Sequence, residues 1–123
     1  MMIENKDILK SKSFSFAVKI INLYKILTVE MKEFVISKQI LRSGTSVGAN
    51  VRESKNAESA MDFIHKLSIA QIECDESLYW LELLYTTEFI NKEMFDSLSN
   101  DATEILKIIR SSILTKKKNL KRN

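Results

Sequence analysis

Hydrophobic residues recur at intervals of three and four positions along most of this sequence, a spacing that is typical of amphipathic α-helices. Four such stretches are separated by short, more polar segments, and they predict helices at about residues 13–28, 34–55, 60–87 and 91–115. The chain has no proline and only two glycines, so it lacks the residues that usually interrupt helices and shape hairpins. An all-α fold is therefore expected.

The hydrophobic rows also predict which face of each helix points into the core. In the first helix the predicted core row contains Phe14, Ala17, Val18, Ile21 and Tyr24. In the third helix it contains Phe63, Leu67, Ala70, Cys74, Leu78, Leu81 and Tyr85. The rows of the second and fourth helices run through Ile36, Ile40, Ser43, Val47, Val51 and Ser54, and through Met94, Leu98, Ala102, Ile105, Ile109 and Ile113. Short connections between such helices favour an antiparallel up-down four-helix bundle, with residues 1–123 as one domain.

Two of the helices carry a second apolar row beside the predicted core row. The extra row of the first helix contains Phe16, Ile20, Leu23 and Leu27, and that of the third contains Ile69, Ile72, Tyr79, Trp80 and Leu83. An apolar surface wider than one core needs usually marks a contact between subunits. We therefore expect a homo-oligomer, the alternative being a bundle with an unusually wide core face.

Residues that cap helices precede several of the predicted elements. Ser11 or Ser13 is a candidate cap for the first helix, and Asn91 is one for the fourth. Ser59 followed by Asp62 is a capping pair for the third helix.

The charges are distributed unevenly along the chain. Residues 1–106 contain 12 basic and 16 acidic residues, whereas residues 107–123 contain seven basic residues and no acidic one. We expect residues 116–123 to form a frayed basic tail. A basic cluster of this kind predicts contacts with nucleic-acid phosphate; the alternative is a solvated tail that suits the negative end of a helix dipole. The candidate nucleic-acid-binding residues are Lys107, Arg110, Lys116, Lys117, Lys118, Lys121 and Arg122.

The segment 42–54 is polar and rich in small residues, although it keeps helical spacing. Gly44 and Gly48 lie four residues apart on one face, which predicts the close approach of a neighbouring helix. The polar residues of this segment are expected to pair with acidic residues of the third helix in a partly buried network that sets helix register; ligand binding is the alternative. The network is predicted to contain Arg42, Ser46, Asn50, Arg52, Glu53, Glu73 and Glu76.

Several motifs of the second and third helices resemble a known family. They are Gln39 with Arg42-Ser43, the run 46–53, the segments 62–67 and 69–70, and Glu73 and Glu76 followed by the segment 79–84. They resemble the four-helix-bundle family named after proteins encoded in intervening sequences of bacterial 23S ribosomal RNA. The resemblance implies a ring-like homopentamer with no established enzymatic activity. A similar bundle is the accessory protein of diversity-generating retroelements, which engages a reverse transcriptase and nucleic acid.

The sequence argues against an enzyme. Di-metal bundles use two Glu-x-x-His motifs, but this chain offers Asp62-x-x-His65 and Glu73-x-x-Glu76, and His65 is its only histidine. A carboxylate-bundle metal protein therefore remains a remote alternative, and we expect no metal and no cofactor. Neither a nucleophilic triad nor a glycine-rich phosphate loop is present. The single cysteine, Cys74, is predicted to be a reduced, buried thiol.

These observations leave two classes of function. The first is a non-enzymatic homo-oligomer that associates with RNA or DNA through its basic ends, and the second is a protein interaction scaffold with an unidentified partner. No apolar stretch approaches the length of a membrane span, and the N-terminus has no signal-peptide core. We therefore expect a cytoplasmic protein that does not enter a membrane.

Overall fold

The computed structural model describes residues 8–122, and this part of the chain contains four α-helices and no strand. The helices are α1 (Ile8–Val29), α2 (Ile36–Lys55), α3 (Ala60–Thr86) and α4 (Lys92–Arg122). The all-α prediction is confirmed. None of these helices is apolar enough over a sufficient length to cross a membrane.

The helices form a four-helix bundle in which each one packs against two neighbours. Helix α1 contacts α2 and α4, and α3 contacts the same two helices, whereas α1 and α3 make no contact within the described residues. The helices α1 and α3 are therefore diagonal to each other. Aliphatic residues from all four helices meet in one core, and the fully buried ones include Ile20, Ile40, Leu67, Leu81 and Ile109.

The predicted core face of α1 is wrong. The buried row is Leu9, Ser13, Phe16, Ile20, Leu23 and Leu27, which includes the whole of the second apolar row that predicts self-association. Phe14 is 56% exposed, and Val18 and Ile21 are also exposed. Both rows are apolar, so hydropathy alone does not distinguish them. The row that contains Ile20 is inside because it is the one that packs against the small residues of α2.

The other core rows are confirmed in large part. In α2 and α4 every predicted position is buried except Ile36 and Met94, which pack against the core half-buried. In α3 the predicted positions Leu67, Ala70, Cys74 and Leu81 are buried, whereas Leu78 is half-buried and Ser77 is buried beside it. The row is also rotated at both ends, where Ile64 and Leu84 replace Phe63 and Tyr85 as the buried residues.

Side chains cap the beginnings of three helices. The Ser59 hydroxyl accepts a hydrogen bond from the Asp62 N–H at 3.0 Å, and the Asn91 side chain accepts one from the Met94 N–H at 2.8 Å, which confirms both predicted caps. The carboxylate of Glu33 accepts three backbone N–H bonds at the start of α2, a cap that the sequence analysis missed. Partial burial alone would raise the pKa of Glu33, but these bonds outweigh it and the pKa is lowered.

Two predicted helix ends are corrected. Helix α1 already begins at Ile8, so neither Ser11 nor Ser13 is its cap; the Ser13 hydroxyl instead donates to the Lys10 carbonyl within the helix. The predicted tail is helical, because α4 continues to Arg122. Lys, Leu and Arg are good helix formers, and cations are favoured at the negative end of a helix dipole. The terminal charges are therefore held on a helix.

The two glycines of α2 allow the close approach of α1 that their spacing predicts. A Cβ atom added at Gly44 would lie 2.8 and 2.9 Å from the two γ-carbons of Ile20, which is fully buried. A Cβ atom at Gly48 would meet the Ser13 carbonyl oxygen at 3.4 Å, an ordinary van der Waals distance. Only the first position therefore requires glycine for steric reasons.

We predict that Gly44→Ala destabilises the bundle relative to Gly48→Ala by about 1 to 3 kcal/mol, the usual cost of overpacking a well-packed core. Both substitutions gain the same helix propensity, about 1 kcal/mol, so the gain cancels in the comparison. Urea denaturation followed by circular dichroism measures the difference. Equal stabilities of the two variants would show that Ile20 moves aside without cost.

Candidate nucleic-acid interface and polar network

The predicted basic residues of α4 lie on its last four turns. Lys107, Lys117, Lys118 and Lys121 are exposed, and Arg110 is exposed beside the Asp75 carboxylate at 3.9 Å. Lys116 is half-buried, and its ammonium lies 4.8 Å from the centre of the Phe63 ring. Arg122 is the last residue of the helix.

The antiparallel order of the helices brings further basic residues to the same end of the bundle. This end combines the start of α1, the end of α2, the start of α3 and the end of α4. Among the described side chains it contains ten basic residues and five acidic ones, Glu53, Glu58, Asp62 and the two acids that contact Arg110 and Lys12, namely Asp75 and Glu104. We call these ten residues the basic end: Lys10, Lys12, Arg52, Lys55, Lys66, Arg110, Lys116, Lys117, Lys118 and Lys121.

Only half of the basic end is predicted from the sequence. Lys10, Lys12, Lys55 and Lys66 were missed, and Arg52 was assigned to the polar network. Two of the missed residues have acidic partners, since Lys12 pairs with Glu104 and Lys66 pairs with Glu53 at 3.2 Å. The up-down order of the predicted helices would have identified these residues, because it places them beside the end of α4.

The opposite end of the bundle has the reverse character. The turns and helix ends there contain four basic residues, Lys25, Lys32, Lys38 and Lys92, and six acidic ones, Glu30, Glu33, Glu82, Glu88, Glu93 and Asp96. These positions lie at the helix ends that point away from the basic end, so the two sets of charges are at opposite poles of the bundle. The net charge is therefore positive at the basic end and slightly negative at the opposite pole, which directs polyanions to the basic end.

The predicted polar network exists in part, between α2 and α3. The Arg42 guanidinium bonds to Glu73 at 2.9 Å and to Glu76 at 2.7 Å, and the Trp80 indole N–H donates to Glu76 at 3.2 Å. The hydrogen bond to Glu73, and then the one to Glu76, raise the pKa of Arg42. Glu73 is the most buried of the three charged side chains, at 15% exposure.

The other four predicted members do not join this network. The Asn50 amide and the Ser46 hydroxyl bond to backbone carbonyls one turn earlier in α2. Arg52 lies over the Phe14 ring, 5.5 Å from its centre, and Glu53 pairs with Lys66. Arg52 and Glu53 are too far along α2 to reach the acids of α3, because the antiparallel register places Arg42 opposite Glu73 and Glu76.

A buried hydrogen bond between two serines crosses the same interface. The Ser77 hydroxyl lies 2.9 Å from the Ser43 hydroxyl, and both residues are fully buried. Ser43 was predicted to face the core, whereas Ser77 was missed, although it occupies the position between Cys74 and Leu81 in the buried row of α3. Each hydroxyl also bonds to a carbonyl of its own helix, Ser77 to that of Glu73 and Ser43 to that of Ile40. The bond between the two serines favours one register of the helices, because a slip of either helix breaks it.

The remaining candidates for chemistry do not assemble into a site. Cys74 is fully buried, and its thiol donates to the Ala102 carbonyl at 3.3 Å. Burial raises the pKa of the Cys74 thiol to about 12, so it stays protonated and is a poor nucleophile at neutral pH. Within residues 8–121 no three His, Cys, Asp or Glu side chains are grouped as metal ligands.

Two apolar rows remain on the outside of the bundle. The α1 row consists of Phe14, Val18 and Ile21, which are 39% to 56% exposed. The α3 row consists of Met61, Ile72 and Tyr79, which are 55% to 65% exposed. Because α1 and α3 are diagonal, the two rows lie on opposite sides of the molecule.

Comparisons with known proteins agree with this architecture. The model of the family described as 23S rRNA-intervening sequence protein matches residues 5–111. A similar solved structure is that of a protein with unknown function from the S23 ribosomal protein family of Bacteroides thetaiotaomicron VPI-5482, with a TM-score of 0.86 and 58% identity. The match covers 87% of this chain and 96% of that one. None of the curated proteins matches the chain.

We predict that Ser43→Ala and Ser77→Ala each destabilise the bundle by about 0.5 to 1.5 kcal/mol, the net contribution of one hydrogen bond, because the remaining hydroxyl keeps its bond to a carbonyl of its own helix. The double variant should cost less than the sum of the two, because it removes both polar groups together. Denaturant unfolding of the four proteins gives the coupling energy. Additive costs would mean that the two hydroxyls do not depend on each other.

Proposed function

The chain belongs to the 23S rRNA-intervening sequence protein family, and we propose that it is a non-enzymatic homo-oligomer that binds nucleic-acid phosphate through its basic end. The observation that carries this proposal is the convergence of ten basic side chains from all four helices at one pole of the bundle. Phosphate contacts by Lys and Arg supply most of the affinity of sequence-independent binding.

The basic residues of α4 are arranged for contact with several phosphates. Lys107, Arg110, Lys117 and Lys121 recur at three-, seven- and four-residue intervals, so they share one side of the helix. At 1.5 Å per residue this row is about 21 Å long. Along the axis of B-DNA, the phosphates of one strand recur about every 3.4 Å. The row therefore spans several consecutive phosphates.

The presence or absence of ion pairs also supports the end of α4 as the phosphate contact. Within residues 8–121, Lys117, Lys118 and Lys121 make no ion pair, whereas Arg110 and Lys66 each have an acidic neighbour. A lysine with no acidic partner binds phosphate without first breaking an ion pair. The end of α4 is accordingly the centre of the proposed interface.

Self-association follows from the two apolar rows. A two-fold dimer buries the same patch of both copies, so it covers one row and leaves the other exposed. If the α1 row of one copy packs against the α3 row of the next, every copy covers both of its rows. Such contacts form a ring where the rotation between neighbours closes and a filament where it does not, and we infer the closed ring. The family resemblance suggests five subunits for this ring.

A ring strengthens the proposed binding. Rotation about the ring axis keeps each basic end at the same height, so all the basic ends lie on one rim. Weak phosphate contacts on neighbouring subunits then act on one strand at high effective concentration. The oligomer and the basic end are two parts of one proposed function.

We predict that Val18→Glu in the α1 row and Ile72→Glu in the α3 row each give a monomer, because a buried charge at either row breaks the head-to-tail contact. An equal mixture of the two variants should form a heterodimer and nothing larger, since it contains one intact pair of rows. Light scattering during size exclusion measures the masses, and Val35→Glu, at a 73% exposed turn position outside both rows, is the control.

Two results would contradict the ring. A wild-type monomer of 14.2 kDa at micromolar concentration would exclude self-association. A Val18→Glu variant that remained a dimer would show a symmetric contact through the α3 row instead.

For the basic end we predict that changing Lys117, Lys118 and Lys121 to Gln weakens binding of RNA and single-stranded DNA. The slope of the logarithm of affinity against the logarithm of salt should decrease by about 0.7 to 0.9 for each phosphate that the variant no longer neutralises. The matched control changes Lys25, Lys32 and Lys38, at the opposite pole, to Gln and alters the net charge equally. Equal weakening by both triple variants would mean that net charge alone governs binding, and wild-type protein that bound neither polymer at low salt would favour a protein scaffold.

A further inference from the structure

A groove lies within the basic end, between the start of α3 and the last turns of α4. Its volume is about 300 Å³, at the lower limit of the range in which small-molecule sites fall. Its lining residues are Phe63, Ser111, Ser112, Thr115, Lys116 and Asn119.

An aromatic ring forms one wall of this groove. Phe63 lies at the start of α3 beside the buried row and packs against the core half-buried. The ammonium of Lys116 lies over its ring at 4.8 Å from the centre, a cation–π contact. The ring face is thus directed into the groove and is covered there by the end of a flexible side chain.

Polar groups of α4 form the other wall. Within the described residues, the side chains of Ser111, Ser112 and Thr115 make no hydrogen bond. Most serine and threonine hydroxyls in the other helices bond to a carbonyl one turn earlier, as those of Ser46 and Ser68 do. The groove therefore combines one aromatic face with hydroxyls and the Asn119 amide, which are free to donate and accept hydrogen bonds.

We propose that this groove is a subsite for one unpaired nucleobase, which stacks on Phe63 while Lys116 and Lys118 hold the adjacent phosphates. The proposal rests on the proposed function and adds a preference for single strands to it. A nucleobase has the two properties that the groove matches, a π-face and an edge of hydrogen-bonding groups. The positive charge around the groove matches the phosphates on both sides of that base.

The side chains of α4 allow this exchange. Lys116 has a flexible four-carbon stem, so its ammonium moves from the ring to a phosphate when a base takes its place. Lys118 lies three residues after Thr115 and thus on the same side of α4 as the groove. Bases in a duplex are paired and stacked within it, so only an unpaired base enters.

The test measures binding of full-length protein to three fluorescent DNA ligands of equal length at one low salt concentration. They are a single-stranded thymidine oligonucleotide, the same backbone without bases, and a duplex. We expect the base-containing single strand to bind about tenfold more tightly than the abasic strand, as stacking on one aromatic ring implies. Phe63→Leu should remove this difference and leave abasic binding unchanged.

Two further variants distinguish a loss of base stacking from a loss of folding. Phe95→Leu is the matched control, because Phe95 is a half-buried aromatic residue that stacks on Tyr85 at the opposite pole. It should keep the tenfold difference. Ser111→Leu fills the groove from an exposed position, so it should abolish the difference without disturbing the core, even if Phe63→Leu proves unstable.

The outcomes distinguish the two proposals. Equal, salt-sensitive binding of the base-containing and abasic strands would overturn the base subsite and leave the phosphate interface standing. A difference that persisted in both Phe63→Leu and Ser111→Leu would also overturn the subsite. Absence of all binding at low salt would overturn the proposed function itself, and the subsite with it.

Discussion

The packing of Ile20 against Gly44 is the contact on which the arrangement of helix faces depends. Ile20 is fully buried and leaves no room for a side chain at position 44. This contact brings α1 and α2 together along the row of α1 that contains Ile20, and the other apolar row, with Phe14, must then point outward. The surface that we assign to self-association is thus a consequence of where the small residues of α2 lie.

The sequence predicted the four helices well, because each has a long periodic pattern and two of the caps are strong local signals. It did not predict the orientation of α1, because hydropathy cannot rank two apolar rows on one helix. The information that decides between them, the match of Ile20 to Gly44, lies in a different helix. The helical end of α4 was missed for another reason, since apolar periodicity ends after Thr115 although the helix continues.

The basic residues that cluster in one segment of the sequence were predicted. Those that the fold brings together from separate helices were missed. The cluster on α4 is visible as a run of charges in the sequence. The contributions of Lys10 and Lys66 depend on the antiparallel order, which places the starts of α1 and α3 beside the end of α4. The register of α2 against α3 likewise decides which polar residues join the network. Arg42 lies opposite Glu73 and pairs with it, whereas Arg52 lies nearly three turns further along α2.

The buried polar groups of this bundle bond to one another and to the backbone. Among the described residues, every buried side-chain nitrogen and oxygen has a hydrogen-bond partner. The serine pair is satisfied within the protein, and the Cys74 thiol is bonded to a carbonyl. The features that we assign to recognition lie on the surface, where the two poles differ in charge and two helices present apolar rows. The α1 row meets the basic end at Arg52, which lies over the Phe14 ring. Lys117, Lys118 and Lys121, however, lie on α4, which carries neither row, so assembly through α1 and α3 leaves the end of α4 accessible to a partner.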